Sequence, residues 1–235
     1  MRLGWMVGLG IATAVSAPAQ SPNPAQHPAV PVVSFNCLWE AATPQSYTVT
    51  VSSTGTARYV SSNPARPAED RDADPEYSIE FVMSEPGRSR VFALAKQAGY
   101  FNGDFDFKKH GIANTGAKTL TYADLSRNFQ TTFNWSENGA IDQLARLFSG
   151  ISSTVEHGRR LAFLHRYDKL GLEAELKGME SEAQSGFLAE LEIIGPTLES
   201  IAGDASVLNI ARARARRLLD LSQQESAGRE VKPRQ

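Results

Sequence analysis

The chain has 235 residues, 24 Lys+Arg against 26 Asp+Glu, a formal net charge of −2 and 41% apolar residues. That length and apolar content suffice for one large domain or two small ones with a real core. The near-neutral balance lacks the strong basic excess expected of a nucleic-acid binder, and equally the excess of a strongly acidic surface.

Arg2 gives a short positive start, and Leu3 to Val15 is an apolar run containing three Gly. Ala17-Pro18-Ala19 then puts small residues at the −3 and −1 positions of a signal-peptidase site. Residues 1–19 are read as a cleavable secretory signal, with export to the periplasm or the cell exterior. The run is too short for a stable bilayer span, and no span is expected in the mature chain. Cleavage near Ala19 would leave 23 Lys+Arg against 26 Asp+Glu, a net charge of −3. Cys37 lies well past that point, which argues against a lipid anchor, and a single Cys forms no internal disulfide. It reads as a small buried hydrophobe.

Residues 20–34 contain Pro22, Pro24, Pro28 and Pro31 and read as a Pro-rich linker, with His27 exposed. Tyr47 to Ser52 alternates, placing Tyr47, Val49 and Val51 on one face; Thr56 to Ser61 follows a short loop ending at Gly55. That predicts a β-hairpin. Ser62 to Pro75 is polar and Pro-containing and reads as a loop. Tyr77, Ile79, Phe81 and Met83 mark a half-buried strand. A helix is expected next, capped by Ser84, with Pro86 in its first turn, Val91, Phe92, Ala95 and Ala98 on its apolar face, and Gly99 as its stop. Lys118 to Ala123 and Asn128 to Trp135 read as a further strand pair.

After Asn138 the period changes to about 3.6 residues. Ile141, Leu144, Phe148, Ile151 and Val155 mark one helical face that continues to Leu161 and Leu164. Gly158 is a candidate interruption and Gly171 an expected end. Leu172 to Gly178 and Gln184 to Ile194 are expected as helices, with a break at Gly195-Pro196. Gly203 should end one helix and Asp204 cap the next, to about Gln223. The expected fold is α+β: an N-terminal antiparallel β-sheet with one packed helix, then an all-helical region. The boundaries are 35–137 for the sheet, 138–223 for the helices and 224–235 for a disordered polar tail.

Tyr47-Thr48-Val49-Thr50-Val51, Gly55 and Tyr59 form a hairpin of the type Y-x-V-x-V … G-x-x-x-Y. Val91-Phe92-Ala93-Leu94, Tyr100-Phe101 and a Lys118-Thr119-Leu120-Thr121 strand follow. Over roughly Cys37 to Ile151 this resembles a bacterial exported family known as a domain of unknown function. Cys37 matches a Cys that the family carries before its first strand; the accompanying Gly is not matched. The resemblance implies an exported α+β fold and carries over no catalytic residue.

Several strings invite a chemical reading. Gly111 to Thr119 nearly spells a phosphate-binding loop, but Ala117 is one residue too many, and a strand rather than a helix follows. Asp104, Asp106 and His110 lie within seven residues but lack the spacing of a calcium or zinc site. His157 and His165 sit on one helix about 12 Å apart, too far to share a metal, with Glu156 and Arg160 expected as an i,i+4 pair. Tyr100, Phe101, Phe105, Phe107, Phe129, Phe133 and Trp135 could form a platform for sugar or peptide, though aromatic strand residues usually belong to the core. Asn134-Trp135-Ser136 fits a glycosylation triplet. Arg212, Arg214, Arg216 and Arg217 spread around the last helix and are expected to pair with Glu190, Glu192 or Glu199.

No catalytic, cofactor-binding or metal-ligating residue is assigned, and no cofactor is expected. The sequence points to a non-catalytic binding or structural protein of the cell envelope, with a protein partner or a second copy meeting the helical region. The alternative is an envelope hydrolase using Asp104, Asp106 or His110, or the helix residues His157 and His165.

Overall fold

The computed structural model describes residues 28–62, 76–108, 111 and 113–226. Residues 1–27, which include the segment read as a signal and most of that read as a Pro-rich linker, residues 63–75 read as a loop, His110, and the residues beyond 226 read as a tail lie outside the described residues. Six strands form one antiparallel sheet: β1 Val32–Leu38, β2 Ser46–Ser52, β3 Thr56–Ser62, β4 Glu76–Val82, β5 Ala117–Ala123 and β6 Asn128–Phe133. Their order across the sheet is β4-β3-β2-β1-β5-β6. Helices α1 Glu85–Gln97, α2 Gly139–Tyr167, α3 Leu172–Gln184, α4 Gly195–Gly203 and α5 Asn209–Ser226 complete the fold, with 3-10 turns at Gly99–Phe101 and Leu191–Ile194. This is the α+β architecture expected from the sequence, strands first and helices second.

Period-2 alternation explains the sheet's two faces. Val33, Phe35 and Cys37 of β1, Val49 and Val51 of β2, Ala57 and Tyr59 of β3, and Leu120 and Tyr122 of β5 are buried on one face. The other face carries Ser34, Thr50 and Asn36, whose side chains bond across strands: Ser34 Oγ to Thr50 Oγ1 at 3.1 Å, and Asn36 Nδ2 to Thr48 Oγ1 at 3.0 Å. Gly55 closes the β2–β3 hairpin at φ +98°, a conformation costly for any residue with a Cβ. Ser84 caps α1 by accepting a hydrogen bond from the Gly87 N–H at 3.1 Å.

Helix α2 joins two cores. Its first half, from Ala140 to Val155, packs on the sheet together with α1; Leu161, further along, packs with α3, α4 and α5. Phe148 stacks on Phe35 with ring centroids 5.3 Å apart, and Ile193 touches both clusters.

Several elements depart from the sequence expectation. The Pro-rich segment gives way at Val32 to β1, a strand the reading missed. Gly158 does not interrupt α2, which is continuous over 29 residues; the missing side chain makes room for Ile194 instead. Helix α3 runs through Gly178 to Gln184. Most of Gln184 to Ile194 is not helical, because Gly186 takes φ +73° and Glu190 φ +55°, leaving one 3-10 turn. Gly171 precedes α3 rather than ending α2. Asp204 stands five residues ahead of α5 and caps a turn, accepting from the Ser206 N–H at 2.8 Å. Helix α5 runs on to Ser226, beyond the expected start of the tail.

Candidate binding cleft

Strand register lays one polar row across the covered face of an otherwise apolar sheet. Tyr77, Ser61, Tyr47, Cys37 and Lys118 stand side by side on β4, β3, β2, β1 and β5. Helix α2 answers with its own polar stripe. Tyr47 and Ser149 hydroxyls lie 3.1 Å apart, as do those of Tyr59 and Ser152. Tyr59 Oη and Ser61 Oγ both donate to Glu156 Oε1, at 2.8 and 2.7 Å. Burial pushes the Tyr47 and Tyr59 phenols well above their ordinary range, so they serve as neutral hydroxyls. Arg159 sits 4.7 Å from the Tyr77 ring centroid, a cation–π contact. The buried hydroxyls of Tyr47, Tyr59 and Ser61 are tolerated because each is bonded.

At the Lys118 end this row opens into a cleft of about 500 Å³, between the ends of β5 and β6, the first half of α2 and the Ser185–Phe187 turn. That size is within the range of small-molecule sites, roughly 300–1,000 Å³. Lys118 Nζ donates to Thr115 O at 3.1 Å, Thr115 Oγ1 at 2.9 Å and Asn134 O at 2.9 Å. Among the described residues no carboxylate pairs with it. Partial burial lowers the Lys118 pKa, and burial raises the neighbouring Cys37 thiol despite that positive charge. Trp135 is 42% and Phe187 66% exposed, and both line the cleft. Trp135 is steadied by an edge-on contact with Phe107, centroids 4.8 Å apart. Ser136, Ser149, Ser153 and Ser185 add hydroxyls to the lining. Arg146 and Asp142, paired at 2.9 Å, occupy the rim. The site combines a cation that no carboxylate pairs with among the described residues, two accessible aromatic rings, several hydroxyls able both to donate and to accept, and the carboxylates of Asp142 and Glu182.

The sequence-derived candidates are scattered. Asp104 accepts from Lys108 Nζ at 2.5 Å and from the Asp106 N–H at 3.1 Å, while Asp106 accepts from the Asn134 N–H at 2.9 Å. These two carboxylates fix loop backbone, and their partner His110 lies outside the described residues. Among the described residues no group of three or more His, Cys, Asp or Glu is placed to hold a metal ion. His157 bridges Glu175 at 2.6 Å and Glu182 at 3.2 Å, whereas His165 meets Asp204 at 2.9 Å. Glu156 turns to the sheet rather than to Arg160, which lies 3.4 Å from Glu175 instead. Arg214 pairs with Glu173 and Glu180, and Arg217 with Glu180, all on α3. Arg212 and Arg216 donate to the Ala202 carbonyl. The expected pairing with Glu190, Glu192 or Glu199 is therefore replaced, because α5 packs across α3. Lys118 lies in β5, as a turn leading into a strand requires, rather than at a helix N-terminus.

Of the aromatic set, Phe101 and Phe133 are buried and Tyr100 packs on Tyr122 at 4.6 Å, so Trp135 alone of that set lines the cleft beside its polar groups, apart from the buried Phe133. The Asn134 side chain is engaged by Thr115 and by the Ala113 carbonyl. Sequence reasoning missed Lys118, Ser149, Ser153 and Phe187 as cleft residues. Lys118 did carry a signal: alternation puts it on the same face as Leu120 and Tyr122, an unusual place for a charge. Among the described residues no helix is long and apolar enough to cross a membrane. No protein-family model matches this chain, and no curated protein is significantly similar to it.

Proposed function

We propose that this is an exported, non-catalytic binding protein of the cell envelope, and that the cleft beside Lys118 is its small-molecule site. The observation that carries the reading is the lining: an ammonium without a carboxylate partner among the described residues, two exposed aromatic rings and a set of hydroxyls. Such surfaces grip a ligand by orientation and stacking. The titratable groups there are held in bonds to their own neighbours, as Asp142 is by Arg146 and Glu182 by His157. That favours binding over proton transfer. Export rests on the layout of residues 1–19 and on the family resemblance.

The helical region supports a contact surface for a protein partner or a second copy. Phe163 and Tyr167 at the end of α2 and Leu170 in the turn after it are 60%, 65% and 75% exposed, and the first two rings lie 5.1 Å apart between centroids. Adjacent exposed apolar groups of this kind mark interaction sites.

The test is native mass spectrometry of the protein recovered from the periplasm of an expressing bacterium, with a panel of ester, peptide and glycoside substrates run in parallel. A chain beginning at Gln20 that carries a small molecule supports the reading. An uncleaved chain retained in the cytosol overturns export. Turnover of any panel substrate, lost on replacing a cleft residue, overturns the non-catalytic assignment.

A further inference from the structure

We propose that the cleft takes a sugar acid, its carboxylate held by Lys118 and its ring laid against Trp135. This rests on the binding reading of the same cleft and adds the ligand's chemistry. A half-buried cation without a counter-charge is costly to maintain, and an incoming anion relieves that cost. Lys118 Nζ is fixed by two backbone carbonyls, Thr115 O and Asn134 O, and by the Thr115 hydroxyl. Thr115 is exposed, and a turn of its side chain about χ1, giving up the 3.2 Å bond from its hydroxyl to Asn134 Oδ1, would free one Nζ proton for a carboxylate oxygen while the two carbonyls keep the ammonium in position.

Trp135 and the serines of the lining favour a ring bearing hydroxyls, while the two carboxylates there, Asp142 and Glu182, are paired with Arg146 and His157. Trp135 offers an amphipathic aromatic surface that Phe107 holds in place. Ser136, Ser149 and Ser153 line the wall, and each hydroxyl can donate or accept, as a polyol demands. Ser149 is itself oriented by the Tyr47 hydroxyl at 3.1 Å, which ties the site to the sheet's polar row. A purely apolar carboxylate would leave the remaining hydrogen-bonding capacity of these hydroxyls unused, and a neutral sugar would leave Lys118 uncompensated.

Isothermal titration of the full chain with glucuronate, glucose and trigalacturonate tests this directly. Glucuronate should bind at least roughly tenfold tighter than glucose, the scale of one hydrogen bond to a charged group. Lys118→Gln should abolish that preference and Lys118→Arg should keep most of it, with thermal melts verifying that each variant folds. Tighter binding of trigalacturonate than glucuronate would identify a polymer end as the source; the reverse would identify the free acid. Equal binding of glucuronate and glucose by the wild-type chain overturns the sugar-acid assignment without needing any variant. So does an unchanged preference in a folded Lys118→Gln protein. Absence of binding by all three probes also overturns it, while a different small molecule on the recovered protein would leave the binding reading standing.

Discussion

Gly158 lies so close to Ile194 that a Cβ built on it would stand 2.2 Å from the Ile194 Cγ2 methyl. Ile194 is buried and β-branched, so it has little freedom to retreat. Gly158→Ala should therefore destabilise the protein by about 1–3 kcal/mol, despite the better helix propensity of Ala. In urea denaturation, the double variant Gly158→Ala/Ile194→Ala should lose less than the sum of its single variants. Additive losses would show that the two positions do not clash.

His157 should act as a pH-limited clamp between α2 and α3. Ionised carboxylates only accept, so a ring whose two nitrogens face Glu175 and Glu182 is held as the imidazolium. Burial opposes that charge, but the two carboxylates outweigh it and hold the His157 pKa above its ordinary value. The stability this contributes is fully present below about pH 6.5 and is lost as pH rises through the raised folded value. Glu175 is also buried, yet His157 and Arg160 hold its pKa down, so its share is lost as pH falls through that lowered value. The groups facing the ring are Glu175 and Glu182 from α3, with Arg160 of α2 beyond Glu175. The stability difference between wild type and His157→Leu, followed by denaturation across pH, should peak between about pH 4.5 and 6.5. A difference constant from pH 5 to 9 would refute the clamp.

Glu190 reaches back 106 residues to the start of α1, accepting from the Ser84 N–H and from Ser84 Oγ, each at 2.7 Å. Glu190→Ala removes both bonds from a helix cap and should cost about 1–2 kcal/mol. Burial raises the Glu190 pKa more than Ser84 lowers it. A raised carboxyl pKa means the folded state holds the proton more tightly, so ionisation costs stability as pH climbs from the unfolded value. Glu190→Gln keeps an acceptor and removes that charge. It should cost less than the alanine variant at neutral pH and flatten the pH dependence above about pH 4.3, read from thermal melts.

Glu180 is 8% exposed and accepts from both Arg214 and Arg217 of α5. Burial raises its pKa, but the two guanidinium groups outweigh this and leave it lowered. Glu180→Leu would leave the Arg214 guanidinium with Glu173 alone, its Nε already lacking a partner among the described residues. A loss of about 2–3 kcal/mol is expected, below that of a fully unpaired buried charge. Adding Arg214→Met should recover a good part of it in the same denaturation assay. A loss below 1 kcal/mol for the single variant would mean that the α3–α5 contact rests on its apolar residues alone.

Local chemistry made much of the fold readable. Alternation identified β2 to β6, and Ser84 with Pro86 identified the start of α1, because these signals lie within a few residues of one another. β1 escaped notice because its Pro-rich prefix drew attention from the Val33, Phe35, Cys37 alternation. Gln184 to Ile194 looked helical by composition, yet Gly186 and Glu190 take left-handed backbone, set by contacts such as Glu190 to Ser84 that no local pattern encodes. The cleft was illegible for the same reason. Lys118, Ser149 and Phe187 meet only after the sheet, α2 and the turn after α3 have packed.

Strand order carries a further consequence for how the chain assembles. β1 pairs with β2 within a few residues of leaving it, but its other neighbour is β5, which begins at Ala117. Until that segment arrives, the β1 to β4 meander presents its earliest strand as an open edge, a template for pairing with another chain. Closing so long a loop delays the second ladder relative to the hairpins. The earliest strand among the described residues is thus enclosed only after β2 and β3 have both neighbours in place, and aggregation during synthesis should track the exposure of Val32 to Leu38 more than any property of the finished fold.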